Sequence, residues 1–506
     1  MPHPAHLRID PTATGAAVSP RLFGTFVEHM GRCVYGGIYD PAHPTADADG
    51  FRGDVLALVR ELGATVVRYP GGNFVSGYRW EDGIGPVAER PVRLDAAWHS
   101  TETNRIGLHE FAAWANQAGL ELMEAVNLGT RGPAEAADLL EYANHPRGTA
   151  WSERRRRNGQ DAPFGIRLWC LGNEMDGPWQ IGHKTAQEYG RLAAETARLM
   201  RFIDPTIELV AAGSSNREMP TFGEWERTVL RHTAGEIDHL SVHAYYQQHG
   251  EDAASFLASA LHLERYLDDV AAIIDEVCDA AGVPRVGISV DEWNVWNQTR
   301  WNDVDKPDVL RGGWPEAPRL IEDEYTVTDA VVVGSLLIAL IRHADRVSMA
   351  NLAQLVNVIA PIRAEPQGPA WRQPTFFPFR DAAHHARGLV VIPRIEAGTV
   401  DTERHGPAPL VDAIATVDGH SLTVFVVHRG LDEGAQVRIE IPANAALISA
   451  TVLAGPDGDR LATNTASSEP VSPRPLEVCV GAAAGTELQA TLPPVSWAVL
   501  RLTIAP

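Results

Sequence analysis

Cysteine is scarce in this chain: 506 residues hold 4, at positions 33, 170, 278 and 479, and no two form a CxxC pair. A disulfide framework and a zinc knuckle are therefore excluded, and two of the four sit in apolar strand- or helix-like runs that suit small core residues. No uncharged apolar run reaches the roughly 18 residues that cross a bilayer. The longest, AVVVGSLLIALI from Ala330 to Ile341, has the length of a buried helix. Cations are in deficit as well, 43 Lys and Arg against 65 Asp and Glu for a net charge of −22. A nucleic-acid surface, which needs clustered basic residues, is excluded on that ground. The single basic run, Arg154 to Arg157, reads as a solvated loop. The opening MPHPAHLRID lacks a basic segment followed by an apolar one, so no secretory signal is expected and the expected location is cytoplasmic.

What remains is a globular composition, 45% apolar and 21% charged, in a chain too long for one ordinary domain. Short apolar strands alternate with helical patterns as far as about residue 380. Strands are predicted over residues 22–27, 65–68, 120–126, 167–171, 208–212, 239–243, 286–291 and 347–352. Between them, residues 51–62, 185–203 and 253–281 place apolar side chains at three- and four-residue intervals, the period of an amphipathic helix. A repeated strand–helix order calls for a parallel sheet with right-handed crossovers. Eight repeats favour closure into a (β/α)8 TIM barrel. An open doubly wound sheet is the alternative, but no Gly-rich phosphate turn follows the first strand. From Leu389 onward come short alternating runs such as SLTVFVVHRG and SWAVLRLTIA, broken by Gly, Pro, Asp and Asn. They predict a C-terminal antiparallel β-sandwich, jelly-roll-like. The expected division is an N-terminal strand packing on the sandwich (residues 1–15), the barrel (16–380) and the sandwich (381–506).

In a parallel barrel the C-terminal strand ends form the active face. The polar residues expected there are Glu28; Arg68 and Asn73; Asn127; Asn173 and Glu174; Ser214 to Asn216; His243 and Tyr245; Asp291 and Glu292; and Asn351 with Gln354. Any one of them could merely cap the following helix, but eight strands ending this way point to a site. Amides and carboxylates suit a polyhydroxylated ligand, because each hydroxyl both donates and accepts. Trp98, Trp179, Trp293 and Trp296 offer flat faces for sugar rings, or serve as core. Glycoside hydrolysis needs one carboxyl group that donates a proton and one carboxylate that attacks or activates water. Glu174, after strand four, and Glu292, after strand seven, face each other across the mouth. Glu174 takes the acid/base role in a partly dry pocket, and Glu292 the nucleophile, held ionised by Arg68 and Tyr245. A gap of about 5–5.5 Å would mean a covalent intermediate and about 6.5–9.5 Å an intervening water.

The blocks GNEMDGPWQ around Glu174, RYPGGNF around Asn73, HAYY at His243, DEWNVW around Glu292 and AQLVNVIAPI around Gln354 occur in an order that resembles the α-L-arabinofuranosidases of glycoside hydrolase family 51. The resemblance runs along the whole chain, trailing sandwich included. It implies a retaining, exo-acting enzyme that releases terminal α-L-arabinofuranosyl residues from fragments of arabinan, arabinoxylan or arabinogalactan. It implies Glu174 as acid/base and Glu292 as nucleophile. Glu28, Asn73 and Asn173 would bind sugar hydroxyls, Asn173 at the 2-OH, while Arg68, His243, Tyr245 and Gln354 support the nucleophile and the ring. Trp98 and Trp296 complete the expected substrate-binding set. No metal or organic cofactor is implied, the partner is an oligosaccharide, and a hexamer is expected. Segments 81–101, 296–325 and 363–379 are expected on the aglycone side, where loops vary freely.

Rival readings are an endo-β-1,4-glucanase or β-xylosidase on the same scaffold and a non-catalytic sugar-binding protein. The last is expected to lose one carboxylate, and both are present. A metallohydrolase would need ligand clusters. The one tempting spacing, His239 and His243, lies along a strand, where four residues span about 13 Å, too far for one ion about 2 Å from each nitrogen. His384 and His385 are adjacent and read as structural.

Overall fold

Eight parallel strands close into a barrel: Gly24–Phe26, Val66–Tyr69, Glu121–Val126, Leu168–Leu171, Glu208–Ala212, His239–Tyr246, Gly287–Val295 and Val347–Ala353. Closure is made by strand eight against strand one, with Asn351 opposite Gly24. The computed structural model describes residues 2–480 and 487–505; Met1, residues 481–486 and Pro506, inside the expected terminal domains, lie outside the described residues. Leu168–Leu171 is buried along its whole length, as a strand covered on both faces must be. Among the described residues, no helix is long and apolar enough to cross a membrane.

Each predicted strand overlaps one of these eight, with instructive differences at the ends. Residues 20–23 form a 3-10 turn capped by the Ser19 hydroxyl, so the first strand begins only at Gly24. Strands six and seven run on to Tyr246 and Val295, and each carries a register shift, after Ser241 and after Val290. Such irregularities re-aim side chains, and they put Tyr245 and Glu292 on rigid strand rather than loop.

The helices follow local chemistry. Ala186–Ile203 opens with a reciprocal cap, Glu188 N–H donating to the Thr185 hydroxyl and Thr185 N–H to the Glu188 carboxylate. The span expected as one helix after strand six is two, Ala253–Leu257 and Ala260–Ala281, with Asp252 capping the first. The basic run is also no solvated loop. It ends helix Ala150–Arg157, and Arg155 is buried, its guanidinium donating to the carbonyls of Tyr142, His145, Pro146 and Asp161. Five N–H donors in a fixed fork suit that task.

Helix Val327–Arg342 is buried nearly all round because the second domain covers its outer face. That domain pairs a seven-stranded antiparallel sheet with a five-stranded one, and Leu7 and Val437 meet Val424 and Leu500 in its core. His3–Arg8 lies in the smaller sheet, between Arg394–Ala397 and Ala435–Glu440, and Thr14–Ala17 edges the larger. A hairpin, Thr399–Thr402 with Gly406–Pro409, leaves the domain and reaches the barrel mouth, where Arg404 N–H donates to Ser255 Oγ at 3.1 Å.

Candidate active site

Strand four ends at Gly172, whose φ of +84° turns the chain, and Glu174 adopts a left-handed φ of +43°. Few non-glycine residues take that conformation, and strain of this kind gathers at working sites. Glu174 faces the mouth of the barrel, as does Glu292 from strand seven. One carboxylate oxygen of each lies within 4.8 Å of the other, with a ring nitrogen of His243 in the same span. Arg68 Nη1 donates to Glu292 Oε1 and the Tyr245 hydroxyl to Oε2, both at 2.7 Å. Glu174 accepts from the Trp179 indole at 2.6 Å and lies 3.0 Å from His243 Nδ1.

Beneath this pair sits Asp291, 1% exposed. Its oxygens lie 3.2 Å from His243 Nε2 and 3.5 Å from Arg68 Nε, so one carboxylate backs both cations. Burial opposes a charged His243, but Glu292, Asp291 and Glu174 around it raise it to about 10. The ring is thus an imidazolium at neutral pH. Burial raises the Glu292 carboxyl above its ordinary value; the His243 and Arg68 cations oppose that rise and the Glu174 charge adds to it. Burial also pushes Glu28 up to about 8, against hydrogen bonds from Phe74 N–H and the Trp98 indole.

Glu28, Asn73, Trp98, Tyr245, Trp296 and Gln354 line a cavity of about 1030 Å³ together with both catalytic candidates. Arg68, Asn173 and His243 are buried at its wall. Gln354 holds Glu28 twice, accepting from its N–H at 3.2 Å and donating to its carboxylate at 3.4 Å. Arg68 occupies Asn173 Oδ1 at 2.6 Å, leaving the buried Nδ2 without a protein partner and open to a ligand oxygen. Gly72 preserves the space between these groups. A Cβ there would stand 3.0 Å from Glu292 Oε1 and 3.4 Å from both Asn173 Nδ2 and Glu28 Oε2. Trp296 packs edge-on against Tyr245.

Other strand-end residues have structural work. Asn127 donates to the Tyr78 carbonyl and to Thr130, Asn351 to the Thr25 carbonyl across the closing pair, and Trp293 is wholly buried. Segments 81–101 and 296–325 line the cavity through Trp98, Trp296, Trp301 and Lys306. Segment 363–379 does not: Arg363 and Arg372 are drawn away to Glu322 and Glu61. Its place is taken by residues 215–218, by the broken helix after strand six and by the hairpin tip. Of these only Ser215 and Asn216 were legible, as polar residues at the end of strand five; what brings in the rest is tertiary. Trp179 and Asp291 were legible only as a flat face and a strand end.

Among the described residues one group could hold a metal ion: Glu174, His243 and Glu292. Arg68 already sits on Glu292 and His243 is cationic, so an added cation would meet two positive charges at close range. His239 and His243 are not brought together. His239 lies 3.5 Å from Glu208, near the start of strand six, whereas His243 meets Glu174.

Two family profiles match the chain, the α-L-arabinofuranosidase 1 domain over residues 58–266 and the α-L-arabinofuranosidase C-terminal domain over residues 291–496. An intracellular exo-α-(1→5)-L-arabinofuranosidase of Streptomyces lividans is 55% identical, covering 98% of this chain and 75% of its own length. An exo-α-(1→6)-L-arabinofuranosidase of Bifidobacterium longum is 52% identical over 98% of this chain and 97% of its own. The solved structure of a family 51 α-L-arabinofuranosidase from Bifidobacterium longum superposes with a TM-score of 0.93 at 46% identity, covering 99% of this chain and 100% of that one. Identity of this order along both domains places the chain in glycoside hydrolase family 51, among the α-L-arabinofuranosidases.

Proposed function

We propose that this chain is a retaining, exo-acting hydrolase that removes terminal α-L-arabinofuranosyl residues from arabino-oligosaccharides. The observation that carries this reading is the approach of Glu174 and Glu292 to within 4.8 Å. That spacing suits the roughly 5–5.5 Å of a covalent route and not the wider pair that holds a water. The exo-acting activity named for the relatives supports the substrate class.

A Glu292 oxygen attacks the anomeric carbon while the glycosidic C–O bond breaks, and the leaving oxygen takes the proton of Glu174. Trp179 and His243 then stabilise the carboxylate that Glu174 has become. In the second half, Glu174 accepts a proton from water, whose oxygen displaces Glu292 and frees arabinose. Arg68 and Tyr245 receive the negative charge that returns to Glu292. Glu28, Asn73, Gln354 and Asn173 hold sugar hydroxyls, and Trp98 and Trp296 flank the ring. Positive charge spreads over the ring in the transition state, which strengthens the contact of Asn173 with the 2-OH.

Hydrolysis of p-nitrophenyl α-L-arabinofuranoside, unaffected by EDTA, is the expected outcome. Rapid cleavage of carboxymethylcellulose with no turnover of that arabinofuranoside would favour an endoglucanase. Roles separate by mutation: Glu292→Ala should abolish turnover, whereas Glu174→Ala should spare substrates with good leaving groups and yield a glycosyl azide when azide is added. The reverse pattern would exchange the two roles. Relatives named intracellular support a cytoplasmic location. The division into 1–15, 16–380 and 381–506 and a hexameric assembly complete the reading, the latter tested by sedimentation equilibrium.

A further inference from the structure

The cavity is larger than one arabinofuranosyl ring requires. Its volume of about 1030 Å³ reaches the top of the roughly 300–1,000 Å³ range of small-molecule sites. Beyond the sugar-binding groups, the lining is built by residues 215–218 after strand five, by the residues after strand six, by Lys306 in the insertion after strand seven, and by Arg404 and His405 at the hairpin tip.

This outer wing is cationic, in a chain whose net charge is −22. Of its acids, Glu218 lies 2.7 Å from His262 Nε2, while Asp252 accepts from Ser255 N–H at 2.9 Å through Oδ1 and feels the Arg404 charge beyond ion-pair distance. Arg217 is matched by Asp269 at 2.6 Å. Arg265, Arg404 and Lys306 have no carboxylate at ion-pair distance among the described residues. The neighbouring histidines register the field. His405 is pushed down to about 4, by burial first and then by His262, Arg265 and Arg404; His249 is lowered by burial and then by Arg404. His405 stays neutral and accepts from Arg265 Nη2 at 3.3 Å. The hairpin tip is anchored through its backbone, Arg404 N–H on buried Ser255 and His405 N–H on Thr402, which leaves exposed Arg404 with no side-chain hydrogen bond or ion pair among the described residues.

A neutral oligosaccharide has no use for three cations without an ion-paired carboxylate on the wall of the cavity that holds the catalytic pair. We infer that the wing is a subsite for a carboxylate on the aglycone, so that the substrates it favours are arabinofuranosyl oligosaccharides bearing a uronic acid beyond the scissile bond. Guanidinium forks match carboxylates in geometry, and Lys306 adds a point charge. The inference rests on the arabinofuranosidase reading for the bond that breaks, and on the wing alone for the carboxylate.

The test uses a matched pair: an arabinofuranosyl xylo-oligosaccharide carrying a glucuronate, and the same compound with that carboxyl reduced to an alcohol. At low salt the acid should show a kcat/KM about three- to tenfold higher, as a few exposed charge pairs give. The two should converge as sodium chloride is raised. The Arg265→Gln/Arg404→Gln double variant should bring the ratio close to one. Calorimetry with the glucuronate-bearing oligosaccharide lacking arabinose reads the wing without turnover, and it should bind more tightly than its reduced form. A ratio near one in the wild type, or equal binding of the two arabinose-free compounds, overturns the subsite. Failure to cleave any arabinofuranoside overturns the hydrolase reading instead, and calorimetry still decides the subsite.

Discussion

At the scale of single residues, the arrangement turns on a carboxylate that touches no substrate. Asp291 sits under both Arg68 and His243, which in turn meet Glu292 and Glu174. Asp291→Asn keeps the volume and removes the charge. It should lower kcat about 10- to 100-fold with little change in KM, because a positioning error at the reacting centre costs on that order while the groups lining the cavity stay in place. A purely structural residue would leave the pH profile alone. Here His243 loses one of the three anions that raise it, so its titration should move to lower pH, and the alkaline limb of kcat, which the Glu174 proton sets, should shift through the 3.0 Å contact of His243 with Glu174. Unchanged kcat and an unchanged limb would remove Asp291 from this role. The neighbouring glycine makes the complementary point: Gly72 is needed for what it lacks, since any side chain there enters the space that Glu28, Asn173 and Glu292 enclose.

At the scale of elements, helix Val327–Arg342 joins the two domains. Gly334 backs onto the Trp497 ring, and a Cβ there would stand 2.5 Å from it. Gly334→Val should destabilise the protein by about 1–3 kcal/mol, the range for overpacking a filled core. Denaturant titration should show the midpoint falling for barrel and sandwich in one transition, because Phe425, Trp497 and Val499 belong to the same apolar cluster as the barrel. An unmoved midpoint would mean that the two domains are not packed through this helix. Much of this level was legible in the chain. Leu168–Leu171 reads as a strand because four apolar residues end abruptly at Gly172, and AVVVGSLLIALI reads as a buried helix because no face of it is polar. The extra lengths of strands six and seven were not legible, because HAYY and EWNVW mix polar and aromatic residues in no clear period. The outer wing was the least legible. Arg404 meets Ser255 from 149 positions away, and the hairpin carrying it belongs to a domain whose own pattern speaks only of a sandwich.

At the scale of the whole molecule, the buried ionisable groups set how stability responds to pH. Glu28 is held at about 8 from an ordinary 4.5, chiefly by burial. His243 is held at about 10 from an ordinary 6.5, by the carboxylates around it and against burial. A group raised on folding binds its proton more tightly in the folded chain, so the stability it contributes is full below its unfolded value and is lost as pH rises through its folded value. Between pH 6.5 and pH 8 both groups are inside that window, the folded chain keeping protons that the unfolded chain has released. Each such proton lowers stability by about 1.4 kcal/mol per pH unit at most. His109, His385 and His405, lowered to about 4 by burial, are neutral in the folded chain but about half protonated in the unfolded chain at pH 6.5, so they oppose the trend there and fade as pH rises above 7. The melting temperature should therefore fall from pH 7 to pH 8, an interval in which carboxylates held low by salt bridges are ionised in both states and add no slope. Glu28→Gln should flatten the slope in part and leave the share due to His243 and to buried Glu124, which burial also raises well above its ordinary value. Calorimetric melts of the wild type and this variant at four pH values across the interval decide it, and a melting temperature that rises with pH in the wild type would refute the assignment of retained protons to Glu28 and His243.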